Sequence, residues 1–242
     1  MQFYVINLDQ SRQRWAEISR SSAEAGLQLT RIAAIHGNSV PRNEWRDIDE
    51  RRFYFAHGRS VLPGEYGCYR SHLAALDTFI ASGEEAGIVC EDDIVLGSGL
   101  PALVEAVLSE RPDLHALKLV NHRVKAFVRH GGLGETVFGR CAHGPQGSAA
   151  AYAVTRDGAR LLREALATAW LPYDVALERG WAMEARIYTL KKAGVRFQPA
   201  RPASTIQAGE GYRLSKPLFF KRTPAALFRV SDYMRRVRYA LR

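Results

Sequence analysis

A short apolar run that stops in three adjacent carboxylates constrains this chain most. In Gly87-Ile88-Val89-Cys90-Glu91-Asp92-Asp93-Ile94-Val95-Leu96-Gly97, the segment Ile88-Val89-Cys90 reads as a buried strand. It ends in Glu91, Asp92 and Asp93, residue types rarely buried without a partner. Two readings are open there. One is a polar turn after a strand. The other is a divalent-cation site, because carboxylate oxygens are the ligands that Mg²⁺ and Mn²⁺ take.

The segments around it alternate strand and helix. Phe3 to Asn7 is an apolar strand ending in Asn7-Leu8-Asp9-Gln10-Ser11. Trp15, Ile18, Ser22 and Ala25 then fall at helical spacing, and Gly26 is a natural stop. Leu29 to Ile35 is a second strand, closed by His36-Gly37. Strand, helix, strand is the start of a parallel α/β sheet. After a turn at Pro63-Gly64-Glu65, a helix runs from about Tyr66 to Ser82 with Leu73, Leu76 and Ile80 inward. Pro101 suits the first turn of a helix carrying Leu103, Val107 and Leu108. Further strands are expected at Ala116–Val120, Ala149–Thr155 and Val195–Phe197, and a helix at Arg156–Thr168. Another helix opens at Pro172-Tyr173-Asp174, with Asp174 as N-cap, and carries Val175, Leu177 and Trp181 to about Arg186. Val40–Leu62 reads as loop or irregular helix, and Asn121–Gly147 as loops or a small hairpin.

The chain's 242 residues, 47% of them hydrophobic, provide for one large domain or two small ones. No run of about 18 apolar residues is present, and the N-terminus has no basic region or cleavage site. Three cysteines, Cys68, Cys90 and Cys141, form no metal spacing and suit thiols of a reducing compartment. The expected location is therefore cytoplasmic. Nearly all of the net charge of +9 sits after Tyr212, where nine Lys/Arg face one acid, Asp232. Within that tail Leu227, Val230, Met234, Val237 and Leu241 recur at steps of three and four, flanked by arginines. Such a basic amphipathic helix suits an anionic membrane surface. Docking on the body or on a second subunit is the other reading. Nucleic acid is not expected, since the body shows no recognition motif. The division is a main domain at 1–210 and a basic tail at 211–242.

In parallel α/β sheets ligands bind beyond the carboxyl ends of strands. Asn7, Leu8 and Asp9 occupy one such end and Glu91, Asp92 and Asp93 another. Arg12 and Arg14, near a helix start, favour a phosphate or stay solvated. No glycine-rich phosphate loop follows the first strand, which excludes a Walker A site and a dinucleotide fingerprint. Gly64-Glu65-Tyr66-Gly67-Cys68-Tyr69-Arg70-Ser71-His72 packs a carboxylate, a thiol, a hydroxyl and an imidazole around a helix start. His72 is a structural histidine or a base. Cys68 has His72 four residues on, but no orienting group that would make the pair a nucleophile and base.

Taken in order, Tyr4-Val5-Ile6-Asn7-Leu8-Asp9 with Arg12 and Arg14, Arg31-Ile32-Ala33-Ala34-Ile35-His36-Gly37, Gly64-Glu65-Tyr66-Gly67-Cys68 with Ser71-His72, and Glu91-Asp92-Asp93 resemble glycosyltransferase family 25. The resemblance runs to about Gln207. Tyr66 and Arg70 stand where the family has smaller or apolar residues, and Arg156-Asp157-Gly158-Ala159 matches it only loosely. It implies a GT-A-like, Rossmann-type α/β domain with a mostly parallel sheet. It implies inverting transfer of a hexose, galactose or glucose, from a UDP-sugar to a lipooligosaccharide or lipopolysaccharide core, peripheral on the inner membrane. A non-catalytic membrane-surface or polyanion-binding protein on the same scaffold is the alternative. The implied nucleotide-sugar residues are Asn7, Leu8, Asp9, Arg12, Arg14, Gly64, Glu65, Ser71, Glu91, Asp92, Gly147 and Gln207. Asp93, with Asp92 and Glu91, would hold Mn²⁺ or Mg²⁺. Candidates for the general base are Asp174, Glu65 and His72, with Asp174 favoured.

Overall fold

A computed structural model describes residues 1–199 and 223–242. Gln207 lies outside them. The strands are β1 (Gln2–Asn7), β2 (Leu29–Ala33), β3 (Ala86–Glu91), β4 (Ile94–Val95), β5 (Ala116–Lys118), β6 (Lys125–Leu133), β7 (Thr136–His143), β8 (Ala151–Thr155), β9 (Ile187–Leu190) and β10 (Arg196–Phe197). Eight of them form one sheet in the order β2-β1-β3-β8-β5-β9-β7-β6, while β4 and β10 make a small antiparallel ribbon. Only β8 and β7 run against the other six. The carboxyl ends of β1, β3 and β5 therefore share an edge with the start of β8.

The helices are α1 (Arg12–Glu24), α2 (Glu50–His57), α3 (Pro63–Ser82), α4 (Leu100–Glu110), α5 (Arg156–Ala165), α6 (Tyr173–Leu177) and α7 (Thr223–Ala240). Alternate strand residues enter opposite cores, as the pleat requires. Phe3, Val5, Ile88 and Cys90 pack with Ile18 of α1 and Val104 and Val107 of α4. Tyr4, Ile6 and Val89 pack with Leu73, Leu76 and Phe79 of α3 and Leu162 of α5. Burial on both faces is why these strands read as continuous apolar runs.

Two loosely read stretches take one of their expected forms, and a third differs. The charged region Val40–Leu62 contains α2, capped by the Asp49 side chain accepting from the Arg52 N–H and stopped by Gly58 at φ 85°. The glycine-rich stretch Asn121–Gly147 holds the β6–β7 hairpin, whose register shifts between Arg129 and Gly131. The expected helix to Arg186 is the five-residue α6 followed by a 3-10 turn at Gly180–Ala182. Its N-cap is Pro172, so Asp174 lies in the first turn and is not the cap. The chain leaves helical geometry where Glu178 and Arg179 bond to other elements.

Two glycines set the start of α3 against the loop after β2. A Cβ on Gly67 would sit 2.3 Å from the Ile35 carbonyl oxygen, and one on Gly37 would sit 1.7 Å from that of Pro63. Backbone lies on both sides, so neither can yield. Gly67→Ala should lower stability at or above the upper end of the roughly 1–3 kcal/mol typical of overpacking. A urea melt indistinguishable from the parent's would contradict that close approach.

The tail helix packs on the body with its ionic side. Ala225, Arg236 and Ala240 are buried, and Asp232 meets Arg179 at 2.8 Å. The Tyr239 hydroxyl accepts from the Ile187 N–H at 2.7 Å, and Arg140 donates to the Tyr239 carbonyl at 2.9 Å. The apolar stripe faces away: Leu227, Val230, Met234 and Leu241 are 57–69% exposed. Among the described residues no helix is long and apolar enough to cross a membrane.

Candidate active site

The end of β1 and the acidic triplet are tied into one network. Asn7 is buried; its Nδ2 donates to Asp92 Oδ2 at 2.5 Å and its Oδ1 accepts from Arg31 Nε at 2.9 Å. Arg14 reaches the other oxygen of Asp92 at 2.9 Å and donates to Ser11 Oγ at 2.6 Å. Arg31 also pairs with Asp9 at 2.6 Å. Burial pushes the Asp92 carboxyl above its ordinary range, the Asn7 hydrogen bond and Arg14 oppose it, and Glu91 adds to the rise. With both oxygens engaged, Asp92 fits a role joining β1, α1 and β3 better than that of a cation ligand. Leu8 is half-buried beside this network, and Arg12 is exposed on the first turn of α1.

Several predicted residues at the start of α3 have structural partners. Glu65 is buried in a two-pronged ion pair with Arg59, 2.7 Å on the Nη1 side, and also accepts from the Leu62 N–H at 3.0 Å. It closes the first turn of α3, which argues against Glu65 as the base. The buried Ser71 hydroxyl accepts from the Ile35 N–H at 2.8 Å and donates to the Gly67 carbonyl at 2.7 Å. The first bond joins α3 to the loop after β2, and the second lies within the helix. Gly64 is half-buried in the same turn.

The triplet does not converge on one point. Asp92 turns to Asn7 and Arg14, while Glu91, 29% exposed at its side chain, faces His72 with Oε1 3.5 Å from Nε2. His72 is fully buried and stacked on Tyr173, with centroids 4.2 Å apart and rings within 6° of parallel. Asp93 is buried, and its carbonyl accepts from the Gln198 N–H at 2.9 Å, beside the β4–β10 ribbon. For a hard cation, Glu91 and Asp93 are the members of the triplet whose chemistry fits.

A second group gathers at the end of β5. Gly147, at φ 73°, lies where a Cβ would come within 3.8 Å of Asp174 Oδ2. Its carbonyl accepts from Lys118 Nζ at 3.4 Å. Lys118, at the end of β5, is 1% exposed. Burial lowers its pKa, and the carboxylates of Glu178 and Asp174 counter the fall. Burial raises the Asp174 carboxyl, opposed by Lys118 and reinforced by Glu178. Sequence reasoning missed Lys118. The signal was a lone cation inside the apolar run Ala116-Leu117-Lys118-Leu119-Val120.

A three-layer α/β protein with titratable residues gathered beyond its strand ends is of the class that binds ligands at that edge. Residues 1–132 match the family model for glycosyltransferase family 25 (LPS biosynthesis protein). A glycosyltransferase 25 family member of Aedes aegypti is 30% identical over 95 residues, covering 38% of this chain and 16% of that relative. The chain belongs to glycosyltransferase family 25.

Proposed function

We propose that the protein is an inverting, GT-A-like glycosyltransferase that moves a hexose, galactose or glucose, from a UDP-sugar to a lipooligosaccharide or lipopolysaccharide core. The observation that carries this reading is the gathering of Glu91, Lys118, Gly147 and Asp174 at one sheet edge in a family 25 chain. Inversion is a single displacement: the acceptor oxygen bonds to the anomeric carbon as the bond to the diphosphate breaks, its electron pair leaving with UDP. Asp174 takes the acceptor hydroxyl proton. Lys118 opposes the rise that burial imposes on the Asp174 carboxyl and donates to the Gly147 carbonyl beside it. Glu91 and Asp93 would hold Mn²⁺ or Mg²⁺, which when bound neutralises charge developing on the diphosphate. The site works at the cytoplasmic face of the inner membrane. There the outward stripe of Leu227, Val230 and Met234, with exposed Arg235, Arg238 and Arg242, lies on the anionic surface.

A thermal-shift screen of nucleotide sugars with and without Mn²⁺ tests the donor. At about a hundred times Kd a UDP-hexose should raise Tm by roughly 5–10 °C. A shift with non-UDP donors only would replace the donor; no shift with any nucleotide sugar, and no release of nucleotide from one, would sink the reading.

A further inference from the structure

Glu91 looks across at two residues of α3. Cys68 and His72 are four apart, so both lie on one face of that helix, and the tip of β3 places Glu91 opposite them. The cysteine sulfur, an imidazole nitrogen and a carboxylate oxygen all lie within 4.8 Å of one another. His72 is fully buried, and its Nε2 has no hydrogen-bond partner. The ring is oriented from its other side. It stacks on Tyr173, and its Nδ1 lies 3.4 Å from the Tyr152 hydroxyl, which bonds to the Tyr173 hydroxyl at 2.9 Å. In the tautomer whose Nδ1–H donates to Tyr152, Nε2 presents its lone pair toward Glu91 Oε1, 3.5 Å away. Two electron-rich atoms beside a thiol then face one another, and a cation between them would relieve the repulsion.

We propose that Cys68, His72 and Glu91 form a three-ligand site for a thiophilic divalent cation, with Zn²⁺ as the fitting ion. Sulfur and imidazole select borderline and soft cations over Mg²⁺. Three protein ligands leave a fourth coordination position; in the set His72 is fully buried, and Cys68 and Glu91 are half-buried. On binding, the thiol proton passes to solvent and the thiolate sulfur donates its electron pair to the ion. The ordinary supporting bond of a ligating histidine, from its other ring N–H, is supplied by Tyr152. A small contraction of the three side chains brings them to bonding distance. Glu91 cannot serve this ion and the Mn²⁺ or Mg²⁺ of the proposed transfer at once, so occupancy here leaves Asp93 for the latter. The ion's binding is measured without turnover, which keeps its failure distinct from failure of the transfer reading.

The test uses the full chain, stripped of metal by a chelator and titrated anaerobically with Co²⁺. The expected result is one equivalent bound with a thiolate-to-cobalt charge-transfer band in the near ultraviolet, bleached by Zn²⁺. Cys68→Ser should lose the band. Glu91→Gln should keep it but weaken binding by more than about tenfold, the lower bound for losing even a supporting group. In the unmodified protein, saturating Zn²⁺ should shield Cys68 from iodoacetamide, read by mass spectrometry. That measurement holds even if Cys68→Ser does not fold. Absence of the band, its persistence in Cys68→Ser, or unchanged labelling of Cys68 under Zn²⁺ would each overturn the site in favour of a plain histidine–glutamate pair.

Discussion

Asp174→Asn should cut glycosyl transfer by roughly 10²–10⁴-fold, the range for removing a general base, while leaving UDP-sugar binding nearly unchanged. Asp174 sits in the first turn of α6, beside Gly147 and within the field of Lys118. Its neighbours hold it in place without engaging it in a two-pronged ion pair of the kind that occupies Glu65. Burial raises its carboxyl above the ordinary aspartate range, and a base works only when ionised. The acid limb of the rate profile should therefore lie higher in pH than an ordinary aspartate would place it, and should vanish in the variant. The same shift has a stability consequence of defined sign. A folded-state pKa above the unfolded one contributes stability that is full below the unfolded pKa and is lost as pH rises through the folded one. At neutral pH the variant should thus melt no lower than the parent, and any advantage should shrink on acidification. Near-normal turnover in Asp174→Asn would remove it from the role.

The strands were legible because burial on both faces leaves an unbroken apolar run, as in Phe3-Tyr4-Val5-Ile6, and α3 because its inward residues keep helical spacing. The triplet was legible as a strand end, but not the divergence of its side chains. That divergence is set by Asn7 and Arg14, 85 and 78 positions upstream of Asp92. Glu65 looked like a base in isolation. Its partner Arg59 lies in a charged stretch without periodicity, so nothing local announced the ion pair. Ser71 and Gly67 drew attention as a motif, and in the fold they seat α3 closely on the loop after β2. The tail shows the sharpest limit. Its apolar stripe, read as membrane-facing or as a docking side, faces away from the body, and the docked side carries ion pairs that no local pattern announced. The body presents Glu178, Arg179 and backbone carbonyls, and these capture Arg236, Asp232 and Tyr239.

Arg236→Ala should lower stability by roughly 3–5 kcal/mol, the usual cost of leaving one member of a buried ion pair alone. For a chain of this size that is a fall in Tm of about 6–20 °C. Arg236 Nη1 lies 3.0 Å from Glu178 Oε2, and the two side chains are 5% and 1% exposed. Glu178 also accepts from the Gln146 N–H, at 3.1 and 2.9 Å to its two oxygens. Losing the guanidinium leaves a carboxylate in a dry site with Lys118 as a more distant counter-charge. The double variant Arg236→Met/Glu178→Gln separates pairing from packing. It removes both charges at similar volume, so it should recover much of the loss, giving a coupling energy at the upper end of the roughly 0.5–3 kcal/mol seen for contacting residues. Gln146 immediately precedes Gly147, whose carbonyl holds Lys118 beside Asp174. Loosening Glu178 should therefore lower kcat at temperatures where the single variant is still folded, because Arg236 and Glu178 line the same small cavity as Lys118. A melt of Arg236→Ala that matches the parent's would mean that α7 does not insert its arginine into the body, and the tail would revert to a free appendage.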